Sequence, residues 1–135
     1  MIEINNLTTI QIDEEFLGKV CQKVLESEDK KVSELSIALV GQSRIRELNK
    51  RYRGENRVTD VLAFPNREIG LGEIVICPRE VKKNAKRFSL IFEKELTRVL
   101  IHGILHLLGY DHEKSDAQAK KMEEKQNYYL LQLKI

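Results

Sequence analysis

The segment HGILHLLGYDH, residues 102–112, contains all three histidines of the chain and constrains its fold more than any other stretch. Upstream of it and through it, Phe92, Leu96, Val99, Leu100, Leu105 and Leu107 recur at helical spacing, which predicts a helix over about 91–108. Residues four apart on a helix lie ~6 Å apart along the axis and ~40° apart in rotation, so His102 and His106 leave the same face. Gly109 follows where that helix must stop. Glycine adopts positive φ without steric cost, so the chain turns sharply there and brings His112 back toward the other two.

Three neutral imidazoles suit zinc, and three protein ligands leave a fourth position open for water. The metal lowers the pKa of that water toward ~7 and makes it a nucleophile at neutral pH. We therefore read His102, His106 and His112 as ligands of one Zn2+ ion, with nickel or another transition ion behind it in preference. A lone histidine on an apolar helix is usually a satisfied core residue. Three at i, i+4 and i+10, with a glycine before the last, do not fit that description. Both intervals and the glycine match the H-E-x-x-H-x-x-G-x-x-H signature of metzincin proteases, but position 103 is Gly103, where those proteases carry their general base. Asp111 is a candidate substitute base or an orienting partner of an imidazole; a surface aspartate beside a turn is the plainer alternative.

The rest of the chain interleaves strands and helices. IEINN at the start reads as a short strand, ELSIALV (34–40) as a buried one, and RVTDVLAFP (57–65) and EIVICP (73–78) as two more. Helices are expected from Asp13 to about Glu28 with Asp13 as N-cap, over about 44–52 with Ser43 as cap, and from Pro78 through the second basic run. A last helix runs from Ser115 or Asp116 to about Leu131. NREIGLG (66–72) reads as a turn. The strands are few and their connections differ in type, so the fold class is α+β, a small sheet packed against helices in a single domain over 1–135.

No apolar run approaches the ~20 residues of a membrane span, and MIEINNLTTIQIDEEF has no basic start followed by an apolar stretch. A cytoplasmic protein with no membrane partner is expected. Cys21 and Cys77 form no C-x-x-C pair and read as reduced thiols; a lone cysteine such as Cys77 is more often a small buried hydrophobe than a ligand. Net charge is only +2, but its distribution is uneven. Residues 44–57 carry six basic and two acidic side chains, and residues 79–87 five basic and one acidic. Each run alone reads as a solvated helix face; two of them upstream of a histidine cluster favour an anionic substrate.

The string from His102 to His112 resembles the signature of the YbeY family of bacterial endoribonucleases. LNKRYRGENRVTDVLAFP (48–65) is similar to that family's LNxxYRxxDxPTDVLSFP segment, and LGEIVI (71–76) to its LGDIVI strand. Val58, Ala63 and Glu73 depart from the usual proline, serine and aspartate, and Asn56 falls near a position that tends to be acidic. The resemblance implies a zincin-like fold with a small mixed sheet and a central metal-binding helix. It implies a single-strand-specific, zinc-dependent endoribonuclease acting on ribosomal RNA, notably the 3′ end of small-subunit rRNA, and in ribosome quality control.

Arg53, the arginine of the YR pair, is then the second functional residue. Its guanidinium suits the charge that gathers on non-bridging phosphate oxygens during cleavage; a salt bridge to a nearby acid such as Glu55 is the alternative. Lys82, Lys83, Lys86 and Arg87, with Arg44, Arg46 and Lys50, are candidates to follow an RNA backbone without reading bases. Tyr52 and Tyr110 are the candidate aromatics near the motifs for stacking a base, with packing as the plainer alternative. Thr59 and Asp60 are candidates to orient a histidine through its second nitrogen, or else supply turn chemistry. Two other functions compete: a metal-dependent peptidase or amidase, disfavoured by Gly103, and a non-catalytic ribosome assembly factor with a structural zinc.

Overall fold

The computed structural model describes residues 1–30, 34–68 and 70–134, so Ile69 of the expected turn lies outside the described residues. In chain order the elements are β1 (Ile2–Asn6), α1 (Glu14–Ser27), β2 (Leu35–Leu39), α2 (Gln42–Arg53), β3 (Val61–Pro65), β4 (Gly72–Ile76), α3 (Pro78–Arg87), α4 (Phe92–Leu107) and α5 (Asp116–Leu133). The four strands form one mixed sheet in the order β1-β2-β4-β3. β1 and β4 both run parallel to β2, and β3 is antiparallel to β4 at the edge. This is the α+β arrangement, a small sheet packed against helices, that the pattern of elements predicts.

Period-two alternation gives the sheet two apolar faces. Leu35, Ile37 and Leu39 of β2 and Ile74 and Ile76 of β4 point to one side, into the main core with α1, α4 and α5. Val75 and Leu62 point to the other side, against Ile45 and Leu48 of α2. On that second side β1 presents exposed Glu3 and Asn5, so α2 covers only the β3–β4 half. Buried positions on α1 repeat at Leu17, Val20, Cys21, Val24 and Leu25, and Asp13 caps it by accepting the Phe16 N–H at 3.0 Å.

Helix α4 differs from the others because it is buried on nearly every side, from Leu96 through Leu107. It packs against α3, β3, β4, α1 and α5. Each leucine or isoleucine it buries contributes roughly 1.5–3 kcal/mol of transfer free energy. At Gly103 an added Cβ would lie 3.2 Å from two carbons of Ile74, so the missing side chain is what lets α4 lie this close to β4. A Cβ at 103 would require the Ile74 side chain to give way by a few tenths of an ångström, which is a packing reason for the departure from the protease signature.

Three boundaries differ from the sequence reading. Helix α2 starts at Gln42 with Gly41 as an extended N-cap, and Ser43 lies inside the first turn rather than capping it. Gln42 instead ties α2 to α3, its Nε2 donating to Glu80 Oε1 at 2.9 Å. β3 begins at Val61, not at Arg57, because β4 ends opposite it at Ile76 and offers Val58 and Thr59 no partner strand. β4 stops before Cys77, which is the N-cap of α3, with Pro78 at the first helical position. No helix among the described residues is long and apolar enough to cross a membrane.

Candidate metal and phosphodiester site

The C-terminus of α4 closes in a Schellman motif. Gly109, at φ 105°, donates its N–H to His106 O at 3.1 Å, and Tyr110 donates to Leu105 O at 3.1 Å. An L side chain at that φ is strained, so glycine is what permits the turn. The chain then reverses over Asp111–Glu113, where Asp111 Oδ1 accepts the Glu113 N–H at 2.9 Å. That bond gives Asp111 a structural task in the turn.

This turn walls a cleft of about 410 Å³. His102, Gly103 and His106 of α4 form its floor, and β3 supplies Val61 to Phe64 along one side. The end of α2 contributes Tyr52 and Arg53, and Asp111, His112 and Glu113 close it opposite. The cleft brings together the three histidines, Arg53, Asp111 and Glu113, drawn from sequence positions up to sixty residues apart. The His112 ring lies 5.0 Å from that of His102 and 6.5 Å from that of His106, centroid to centroid. The imidazoles converge without closing on a common point. No group of three or more His, Cys, Asp or Glu among the described residues is gathered tightly enough to hold a metal ion as placed.

The His102 ring has a fixed orientation. Its Nδ1 lies 3.0 Å from Oε1 of Gln126, a buried residue of α5. An amide oxygen only accepts, so Nδ1 carries the proton and Nε2 keeps its lone pair. Burial pushes the His102 pKa below the ordinary histidine value, and the nearby His112 and Arg98 push the same way against the Gln126 bond and Asp60. His102 is therefore a neutral imidazole with one bare nitrogen, the form in which histidine binds metals.

Arg53 does not pair with Glu55. Its Nη2 donates to Glu113 Oε1 at 3.4 Å, and Glu113 also lies 3.8 Å from His112 Nε2. Glu55 pairs with Arg57 instead. The Arg53–Glu113 pair spans the cleft mouth with both partners at least half exposed, where such pairs contribute about 0–1 kcal/mol.

Other expected residues fall elsewhere. Lys82, Lys83, Lys86 and Arg87 are exposed on α3 and do not line the cleft. Arg44 and Arg46 lie on the exposed face of α2, held by Glu47 and Asn56. Tyr110 is turned away from the cleft, its hydroxyl donating to Glu28 Oε1 at 2.8 Å. The second nitrogen of His102 is bonded to Gln126 rather than to Thr59 or Asp60; the Asp60 carbonyl accepts the Cys77 N–H. Gln126 and Glu113 were not singled out by the sequence reading. Nor was the buried Glu95, which grips Arg98 one turn before His102 with two bonds of 2.7 and 2.6 Å.

A family model described as Endoribonuclease YbeY matches residues 3–134. The Endoribonuclease YbeY of Thermotoga neapolitana is 48% identical over 118 residues, covering 86% of this chain and 79% of the relative. That of Thermodesulfovibrio yellowstonii is 43% identical over 134 residues, covering 87% and 84%. The solution structure of TM1509 from Thermotoga maritima superposes with a TM-score of 0.75 at 42% identity, covering 98% of this chain and 89% of that one.

Proposed function

Because the chain belongs to the Endoribonuclease YbeY family, we propose that it is a zinc-dependent endoribonuclease that cuts single-stranded RNA. Its substrate is ribosomal RNA, notably the 3′ end of small-subunit rRNA, met on or beside the ribosome in the cytoplasm. The observation that carries this reading is the convergence of His102, His106, His112 and Arg53 on one cleft.

The donor set fits one zinc ion: three imidazoles, of which His102 is neutral and has its Nε2 bare. His102, His106 and His112 would hold the metal, which would supply an activated water or polarise the phosphate. The chain's own residues do the rest. Gln126 holds the His102 ring in one tautomer. Asp111 shapes the turn that presents His112 and Glu113. Arg53 exchanges its long, solvated contact with Glu113 for the non-bridging oxygens of the phosphodiester, an exchange made easy by the small worth of the pair it gives up. Lys82, Lys83, Lys86 and Arg87 hold flanking phosphates without sequence preference.

The test is metal analysis joined to cleavage of single-stranded RNA, with and without chelator, by the wild type and by His102→Ala. We expect about one zinc per chain, cleavage that stops on chelation, and a loss of more than about a thousandfold in His102→Ala with its far-ultraviolet spectrum unchanged. Cleavage that survives both chelation and the substitution removes the reading.

A further inference from the structure

Tyr52 lines the cleft beside Arg53 and is 61% exposed, an unusual state for a large aromatic inside a concavity. It is nonetheless held. Its ring and that of Phe64 on the edge strand form a T-shaped pair, centroids 5.3 Å apart at 65°, and the Arg51 guanidinium lies over the Tyr52 ring, 5.9 Å from its centroid. A ring held by these two contacts keeps its orientation, and at 61% exposure much of it stays open to the cleft. Tyr110, the other aromatic near the motifs, is committed to Glu28.

We propose that Tyr52 is a stacking platform for one nucleobase of single-stranded RNA, beside the phosphate received by Arg53. This rests on the reading of the chain as an RNA endonuclease and adds a base-binding subsite to it. Neighbouring residues at the end of α2 thereby take hold of the two chemically distinct parts of one nucleotide, the anionic phosphate and the flat base. Stacking is indifferent to base identity, since every base has a π-face. It does discriminate by strandedness. A base within a duplex already stacks on both neighbours and is paired, so it reaches Tyr52 only after being extruded, whereas an unpaired base turns out at small cost.

The experiment uses 2′-O-methyl oligonucleotides, which resist cleavage, with 2-aminopurine placed at successive positions; its fluorescence falls when it stacks on an aromatic ring. The wild type is expected to quench one position and to bind the single strand more tightly than its duplex. Tyr52→Ala loses that quench and binds roughly ten- to a hundredfold more weakly. Tyr52→Trp restores the quench, which a merely structural role would not do. Tyr128→Ala removes an exposed aromatic on α5 outside the cleft and leaves both signals intact. Quenching and affinity unchanged in Tyr52→Ala overturn the proposal, as does a wild type that quenches no position or does not bind. Cleavage of unmodified RNA is scored separately. A Tyr52-dependent quench without any cleavage removes the nuclease reading alone, and cleavage without the quench removes the stacking platform alone.

Discussion

Two polar clusters lie on either side of the turn that follows α4, and they are built on opposite principles. On one side Glu28, its side chain 11% exposed, accepts hydrogen bonds from Tyr110 at 2.8 Å, from Lys125 at 3.0 Å and from Tyr129, joining the end of α1, the turn and α5. Each of its carboxylate oxygens has a donor, and two of the donors are phenols. On the other side the histidines, Arg53 and Glu113 face an open cleft with long contacts. Tyr110 belongs to the first cluster and His112 to the second, two residues apart. A closed, charge-assisted network stabilises a fold. An open one leaves its groups available to a ligand. The closed cluster anchors the strand of chain from which the open one is presented.

If this contrast is right, substitutions in the two clusters separate cleanly into effects on activity and effects on stability. After the His102→Ala loss, the largest expected effect is that of Arg53→Ala, which should reduce kcat on single-stranded RNA by roughly a hundred- to a thousandfold, as loss of a donor to transition-state charge does. Its unfolding free energy should move by less than about 1 kcal/mol, because only an exposed ion pair is lost. Steady-state kinetics and urea unfolding on the same preparation check both halves. Next is Glu28→Gln, expected to cost about 2 kcal/mol in urea unfolding, since an amide cannot accept from all three donors and keeps no charge. Activity of its folded fraction below the transition should stay within a few-fold of wild type. A loss of activity without a loss of stability there would show that the knot is part of the site.

Gln126→Leu sharpens the boundary, because Gln126 is a buried core residue serving the open cluster. Losing the oxygen that fixes the His102 tautomer should weaken zinc affinity roughly ten- to a hundredfold, measured by competition with a chromogenic chelator. The smallest effect is on pH dependence. Burial raises the Glu28 pKa, but the bonds from Tyr129, Lys125 and Tyr110 together carry it below the usual carboxylate value. Its contribution is then complete above the unfolded value of ~4.3 and is lost as pH falls through the lowered folded value. Burial and the Glu28 contact raise Tyr129, so its contribution holds below ~10 and is lost as pH rises through the folded value. Urea unfolding at pH 3 and pH 7 should differ less in Glu28→Gln than in the wild type.

What could be read in advance follows the range of the interactions. The α4 helix, its stop at Gly109 and the return of His112 are local consequences of spacing and backbone freedom, and they were legible. The strand over 57–65 was read four residues too long because Val58 and Thr59 favour extended structure, while the actual limit is the end of a partner strand whose position no local pattern gives. The Glu28 network joins residues 82 to 101 positions apart, and nothing near Glu28 announces it. Gln126 did leave a trace. It sits between Met122 and Tyr129 at i+4 and i+7, a polar residue on an otherwise apolar stripe, and such a residue buried in a helix face needs a partner. The pairing of Arg53 with Glu113 rather than Glu55 is a tertiary choice between two acids that the chain alone ranks the wrong way.

The close seating of α4 on β4 at Gly103 sets a rule for anyone wishing to redesign the chemistry. Grafting the missing protease glutamate would press its Cβ against the Ile74 side chain, which would have to give way by a few tenths of an ångström. Trimming Ile74 in the same protein would remove that contact, so the two exchanges are best made together.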